Sequence, residues 1–117
     1  MSEEIRPTVW LVNDAGHDTR DAERFGRVQV LSVGNLNPLR VDRAVWHFAK
    51  GIARYTHKDD YLCIMGTPTL NAIAVLLWML QYRQCKLLQW NAKKRRYEQS
   101  ILSTEHLLNI LDAAIRG

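Results

Sequence analysis

Tyr61-Leu62-Cys63-Ile64-Met65-Gly66-Thr67-Pro68 decides the fold. Five consecutive apolar or aromatic residues have no polar alternation, so the strand they form is covered on both faces and lies centrally in a sheet. Gly66 ends that strand, Thr67 can cap a helix and Pro68 suits its first turn. The helix this predicts runs to about Arg83 and is apolar nearly all round, through Leu70, Ile73, Val75, Leu76, Leu77, Trp78, Met79 and Leu80. Such a helix is buried on more than one side. Lys86-Leu87-Leu88-Gln89-Trp90 then reads as the next strand. A strand, a crossover helix and a second strand make a parallel pair.

The same alternation extends outward. Upstream, Thr8-Val9-Trp10-Leu11-Val12-Asn13 is a β-branched and aromatic run, read as a buried first strand that stops at the turn Asn13-Asp14-Ala15-Gly16. Asp18 with Asp21 starts a short helix that Gly26 ends. Residues 27–33 form a second strand with apolar residues on both sides, so both its faces are expected to be covered. After the loop Gly34-Asn35-Leu36-Asn37-Pro38, a helix with Asp42 as N-cap carries the stripe Val45, Phe48, Ala49, Ile52 and Ala53. Downstream of Trp90, Asn91-Ala92-Lys93-Lys94 is a turn and residues 96–102 fold back as a fifth strand. Ser103 caps a last helix whose stripe is Leu107, Ile110, Leu111 and Ala114.

The order β-α-β-α-β-α-β-β-α predicts an α/β fold: a small Rossmann-like parallel sheet with helices on both faces and an antiparallel edge strand. Strand order 2-1-3-4-5 is expected, with 3-2-1-4-5 as the alternative. Residues 1–117 make one domain, long enough for a substantial core.

Composition narrows the function classes. The chain is 47% hydrophobic with a net charge of +4, which permits an anionic partner without demanding one. The longest apolar run, residues 72–80, is far short of the ~20 residues of a membrane span. Met1-Ser2-Glu3-Glu4 has no apolar core of a signal peptide, so a cytoplasmic protein is expected, in the host cell if phage-encoded. Cys63 and Cys85 sit in or beside apolar runs and read as small buried hydrophobes.

Three sets of residues resemble a group of small, uncharacterised phage and bacterial Rossmann-like proteins. They are Asp21-Ala22-Glu23-Arg24-Phe25-Gly26; Asp59-Asp60 with the strand to Gly66; and Leu87-Leu88-Gln89-Trp90-Asn91 with Arg96-Tyr97. The resemblance covers roughly residues 9–99. It implies a third strand ending in a glycine turn and a fourth leading into a basic hairpin. This chain has Gln84-Cys85 where the group has a glycine before strand four. The group has no assigned activity, so the resemblance implies no catalytic residue. The strand-Gly66-Thr67-helix join also resembles nucleotide-sensing Rossmann-like domains of bacterial defence systems.

In an open α/β sheet a ligand sits beyond the carboxyl ends of the strands, where the strand order reverses. That crevice lies between strands one and three. The residues there are Asn13, Asp14, Gly66, Thr67, Thr69 and Asn71, whose amides, hydroxyls and helix-start N–H groups suit a nucleotide or other anion. An ordinary helix cap and first turn explain Thr67-Pro68 more simply. Asp14, His17 and Asp18 have acid/base and metal-ligand chemistry but also suit a polar turn, and no strand end adds a further carboxylate. The four histidines have no ligand spacing, and there is no glycine-rich phosphate loop and no serine elbow. No catalytic residue, metal or cofactor is therefore assigned. Lys93, Lys94, Arg95 and Arg96, between Trp90 and Tyr97, can contact phosphate and stack on a base, or simply keep an edge hairpin solvated.

The expected function is a non-enzymatic binding protein with a nucleotide or other anion at the switch point. The alternative is an interaction protein whose basic hairpin contacts nucleic acid or an acidic protein. The all-apolar helix further predicts a homodimer, with Trp78 or Met79 in its interface.

Overall fold

In the computed structural model the described residues are 6–14, 16–32 and 36–117. Met1-Ser2-Glu3-Glu4, Ala15 of the first turn, and Val33-Gly34-Asn35 after the second strand lie outside them.

The elements are β1 (Thr8–Leu11), a 3-10 helix (Arg20–Arg24), β2 (Arg27–Val30), α1 (Val41–Tyr55), β3 (Tyr61–Cys63), α2 (Pro68–Tyr82), β4 (Gln84–Asn91), β5 (Arg96–Ser103) and α3 (Thr104–Arg116). The sheet has the order β2-β1-β3-β4-β5, as expected. β1 pairs in parallel with β2 and β3, and β3 with β4; β5 runs antiparallel to β4, with Trp90 opposite Tyr97.

Side-chain alternation along the strands makes two cores. On one face Val12, Leu62 and Cys85 pack under Ala44, Phe48 and Ile52 of α1 and Leu70, Ala74 and Trp78 of α2. On the other, Val9, Leu11, Cys63, Leu88 and Tyr97 gather around Ala22 of the 3-10 helix. Both cysteines are fully buried, and burial pushes their thiols up to about 12. At the amino ends of the strands, Asp60 is 3% exposed and accepts three hydrogen bonds. They come from Thr8 N, Trp10 Nε1 and His57 N, each at 2.9 Å, so its buried oxygens are satisfied by β1 and the preceding turn.

Several local expectations are corrected. β2 is an outer strand four residues long, and of its residues only Val28 is partly covered. The N-cap of α1 is Arg40, and Asp42 sits in the first turn, where its charge still favours the helix dipole. Ala44 replaces Ala53 in the buried stripe of α1, and Ala53 is exposed. Thr67 occupies the N-cap of α2, yet its side chain makes no capping bond. Among the described residues, the helix packed into the second core is the five-residue 3-10 helix, through Ala22. α2 is covered on one side within the chain: Trp78, expected at a dimer face, is fully buried in its own core, and Met79 packs against that core. No residue of α3 is buried, and Leu107, Ile110 and Leu111 of its expected stripe stay 40–58% exposed.

Gly26 belongs to a close approach. A Cβ there would lie 2.2 Å from Pro7 O, whose oxygen accepts Arg27 N at 3.1 Å as β2 starts alongside β1. No helix among the described residues is long and apolar enough to cross a membrane.

Candidate functional site

β1, β3 and β4 are parallel, so their carboxyl ends open onto one edge of the sheet. A crevice of about 580 Å³ lies there, within the ~300–1,000 Å³ range of small-molecule sites. Its floor is Ile64, Met65 and Gly66, just past β3; one wall is Gln89, Trp90 and Tyr97, and His17, Asp18 and Asn71 complete the lining.

The turn under the crevice is built from backbone geometry. Gly66 has φ +86°, the left-handed region that costs an L side chain strain, and an added Cβ would press on Asn13 at 3.2 Å. Asn71 Oδ1 accepts Met65 N at 3.0 Å and its Nδ2 donates to Thr67 O at 3.2 Å, so this one amide joins the end of β3 to the start of α2. Asn13 is buried, with its Oδ1 3.0 Å from Ser32 Oγ, which also lies 2.7 Å from Val12 O. Among the six ligand residues expected from sequence, Gly66 and Asn71 line the crevice; Asn13 packs beneath it as a structural amide. Asp14, Thr67 and Thr69 are exposed outside the lining, and Asp14 Oδ1 accepts Gly16 N at 3.1 Å.

The aromatic wall is held from two sides. Trp90 and Tyr97 meet edge to face, with ring centroids 5.1 Å apart. Behind them the 3-10 helix reaches β5: Asp21 Oδ2 accepts Tyr97 N at 2.7 Å, and Arg24 Nη2 donates to Tyr97 O. Arg24 Nε also bonds Asp21 Oδ1 at 3.1 Å. The two side chains thus do for the edge of β5 what a further strand would do, and they fix Tyr97. The Tyr97 N–H, and then Arg24, hold the Asp21 carboxyl below the usual range.

Tyr97 is 3% exposed, and no hydrogen bond to its hydroxyl exists among the described residues. Burial pushes that phenol up to about 12, so it stays a proton donor. Asp18 is locked by Arg20, whose Nη2 lies 2.7 Å from Asp18 Oδ2. These side-chain bonds, with the Arg20 N–H, lower its carboxyl to about 2, so it stays an ionised acceptor. Among the described residues, no lysine or arginine lines the crevice. Among the described residues, no group of three or more His, Cys, Asp or Glu side chains can hold a metal ion.

The basic run is placed apart from the lining. Lys93, Lys94, Arg95 and Arg96 are all exposed at the β4–β5 tip, next to half-exposed Trp90. Asn91 Oδ1 accepts Lys93 N and Lys94 N at 3.1 and 3.2 Å, and Arg95 turns the chain at φ 54°. Sequence reasoning used Trp90 and Tyr97 only as flanks of this run. Counting outward from the tip pairs them on one face, and that register was the signal for the aromatic wall.

Fold and site together define a small mixed α/β domain with a ligand-sized, aromatic-walled crevice at its strand ends. Residues 7–104 match the model of the Phage Pam3 gp32-like protein family, and the chain belongs to that family of phage proteins. No curated protein and no solved structure matches it.

Proposed function

We propose that this phage protein is a non-enzymatic binding protein whose crevice takes a nucleoside or nucleotide. The observation that carries the reading is the Trp90–Tyr97 wall of the crevice: Trp90 is half-exposed, and the hydroxyl of the otherwise buried Tyr97 is bonded by no described residue. A planar heteroaromatic ring stacks on such a wall, at ~1–3 kcal/mol per base. The phenol donates to a ring acceptor, while the Asp18 carboxylate accepts from an exocyclic amine. Because the lining holds no cation, the base occupies the crevice and any phosphates point outward, toward the start of α2 or the basic tip.

Thermal shift and tryptophan quenching with a panel of nucleosides, nucleotides and inorganic phosphate test this. A ligand at about one hundred times its Kd adds ~2.7 kcal/mol of stability. Trp90→Ala and Tyr97→Phe should each weaken binding about tenfold or more. If no member of the panel moves the melting curve, the reading is wrong.

A second reading rests on the hairpin tip. Four exposed cations beside a half-exposed tryptophan suit single-stranded nucleic acid, with phosphates along residues 93–96 and a base on Trp90. Replacing Lys93, Lys94 and Arg95 by serine should then abolish the salt-dependent part of oligonucleotide binding and leave mononucleotide binding intact. Equal affinity in wild type and variant would discard it.

A further inference from the structure

α3 is amphipathic, and its apolar face is largely exposed. Ser103 caps it and Asp112 pairs with Arg116, yet no residue of the helix is buried. Leu107, Leu108, Ile110, Leu111 and Ile115 share one arc of the helix at 40–83% exposure, while Glu105, Asn109, Asp112 and Arg116 lie on the opposite arc. A free helix of thirteen residues is marginal in water, so this one needs a covering surface.

α2 carries the complementary feature. Leu76 and Leu80, one turn apart, are 64% and 80% exposed on the side away from the sheet. α2 contains no charged residue from Pro68 to Tyr82. Its outer face is thus an uncharged apolar surface of nearly the same length as α3.

The chain cannot join these two faces within itself. β5 ends at Ser103 and α3 starts at Thr104, with no residue between them. Thr104 N is bonded to Arg83 O at 2.9 Å, pinning the start of α3 to the end of α2. With both anchors fixed, α3 contacts β5 and leaves the outer face of α2 bare.

We propose that a second copy of this chain covers both faces at once, α3 of each protomer lying on α2 of the other in a two-fold dimer. An isologous interface needs one surface that holds both halves of the contact, and this chain has them. The seven aliphatic side chains of these two faces together present on the order of 800 Å² per chain, the ~800 Å² a side of a standard interface. None of the seven side chains named for the interface lines the crevice, so it stands independently of the ligand reading.

Light scattering on the full chain at high micromolar concentration should give twice the 13.6 kDa chain mass. Leu76→Glu with Leu80→Glu, and separately Leu111→Glu with Ile115→Glu, should each give the monomer mass. Their substituted positions are 58–83% exposed, so tryptophan fluorescence should report an intact core in both. An equimolar mixture of the two variants should recover part of the dimer, because one of the two α3–α2 contacts is then wild type on both sides. A monomeric wild type overturns the proposal whatever the variants do. So does dimer mass retained by either variant, or a mixture that stays monomeric.

Discussion

Asp21 is the side chain whose removal tests the architecture of the site most directly. Its carboxylate takes the Tyr97 N–H at 2.7 Å and the Arg24 guanidinium at 3.1 Å, across 76 residues of chain in the first case. Hydrogen bonds to a charged group contribute about 1.5–3 kcal/mol. With the Asp21 side chain 32% exposed, water screens the Arg24 contact, so Asp21→Ala should cost about 2 kcal/mol. That corresponds to a fall in Tm of roughly 8 °C for a chain of this size. Asp21→Asn keeps an oxygen for Tyr97 N and should cost about half as much. The pH dependence follows from the depressed carboxyl. The charged form is the one favoured by folding, so its contribution is fully present above the unfolded value of ~3.9 and is lost as pH falls through the lower folded value. The stability gap between wild type and Asp21→Ala should therefore be constant from pH 7 to about 5 and close in more acid solution. Urea titrations followed by tryptophan fluorescence measure both. Equal midpoints at pH 7, or a gap that does not narrow below pH 4, would refute the idea that Asp21 straps the 3-10 helix to β5.

Three further outcomes can be measured on the same footing. Gly66→Ala must hold an L side chain at φ +86° against Asn13, so it should lose about 2 kcal/mol and weaken any crevice ligand, by thermal melt and titration. Cys63 and Cys85 should resist a thiol reagent at pH 8 until the chain unfolds. Their raised folded values also mean that stability is full below the unfolded value of ~8.5 and is lost as pH rises from there toward about 12. Trp78 Nε1 is buried without a partner among the described residues, so Trp78→Phe removes an unsatisfied donor and should stay within about 1 kcal/mol of wild type by urea unfolding. Trp78→Ala should cost ~3–5 kcal/mol.

How much of this was legible in the sequence depends on the range of the interaction. The unbroken apolar run at residues 61–65 marked the central strand, and the regular alternation of strands and helices gave the sheet order, because periodicity and connection handedness are local. Hydropathy also marked α2 and α3 as apolar, but it states only that a face needs cover and says nothing of which chain supplies it. Trp78 and the stripe of α3 were misplaced for that reason. Asp21 had the sequence spacing of a helix start, while its oxygen goes to Tyr97, a pairing no local pattern encodes. Thr67 and Thr69 looked like ligand groups by their position after a strand, yet side-chain direction leaves them on the outside of the turn.

The crevice itself follows from one shortfall in the chain. A crossover between parallel strands usually carries a full helix that covers its side of the sheet. Between β1 and β2 the polypeptide from Val12 to Gly26 has room only for the five-residue 3-10 helix. That helix is wide enough to seat Ala22 over Val9, Leu11, Cys63 and Leu88, and its Asp21 and Arg24 reach the far edge at β5. It does not extend over the strand ends, so Met65, Trp90 and the hydroxyl of Tyr97 are left around an open volume instead of under a helix. On the opposite face α1 and α2 lie side by side and pack over the strands with Phe48, Ile52, Leu70, Ala74 and Trp78. The position of the site is thus set by the length of a single connection, and its chemistry by the two aromatic residues that the β4–β5 register brings to that connection's uncovered end.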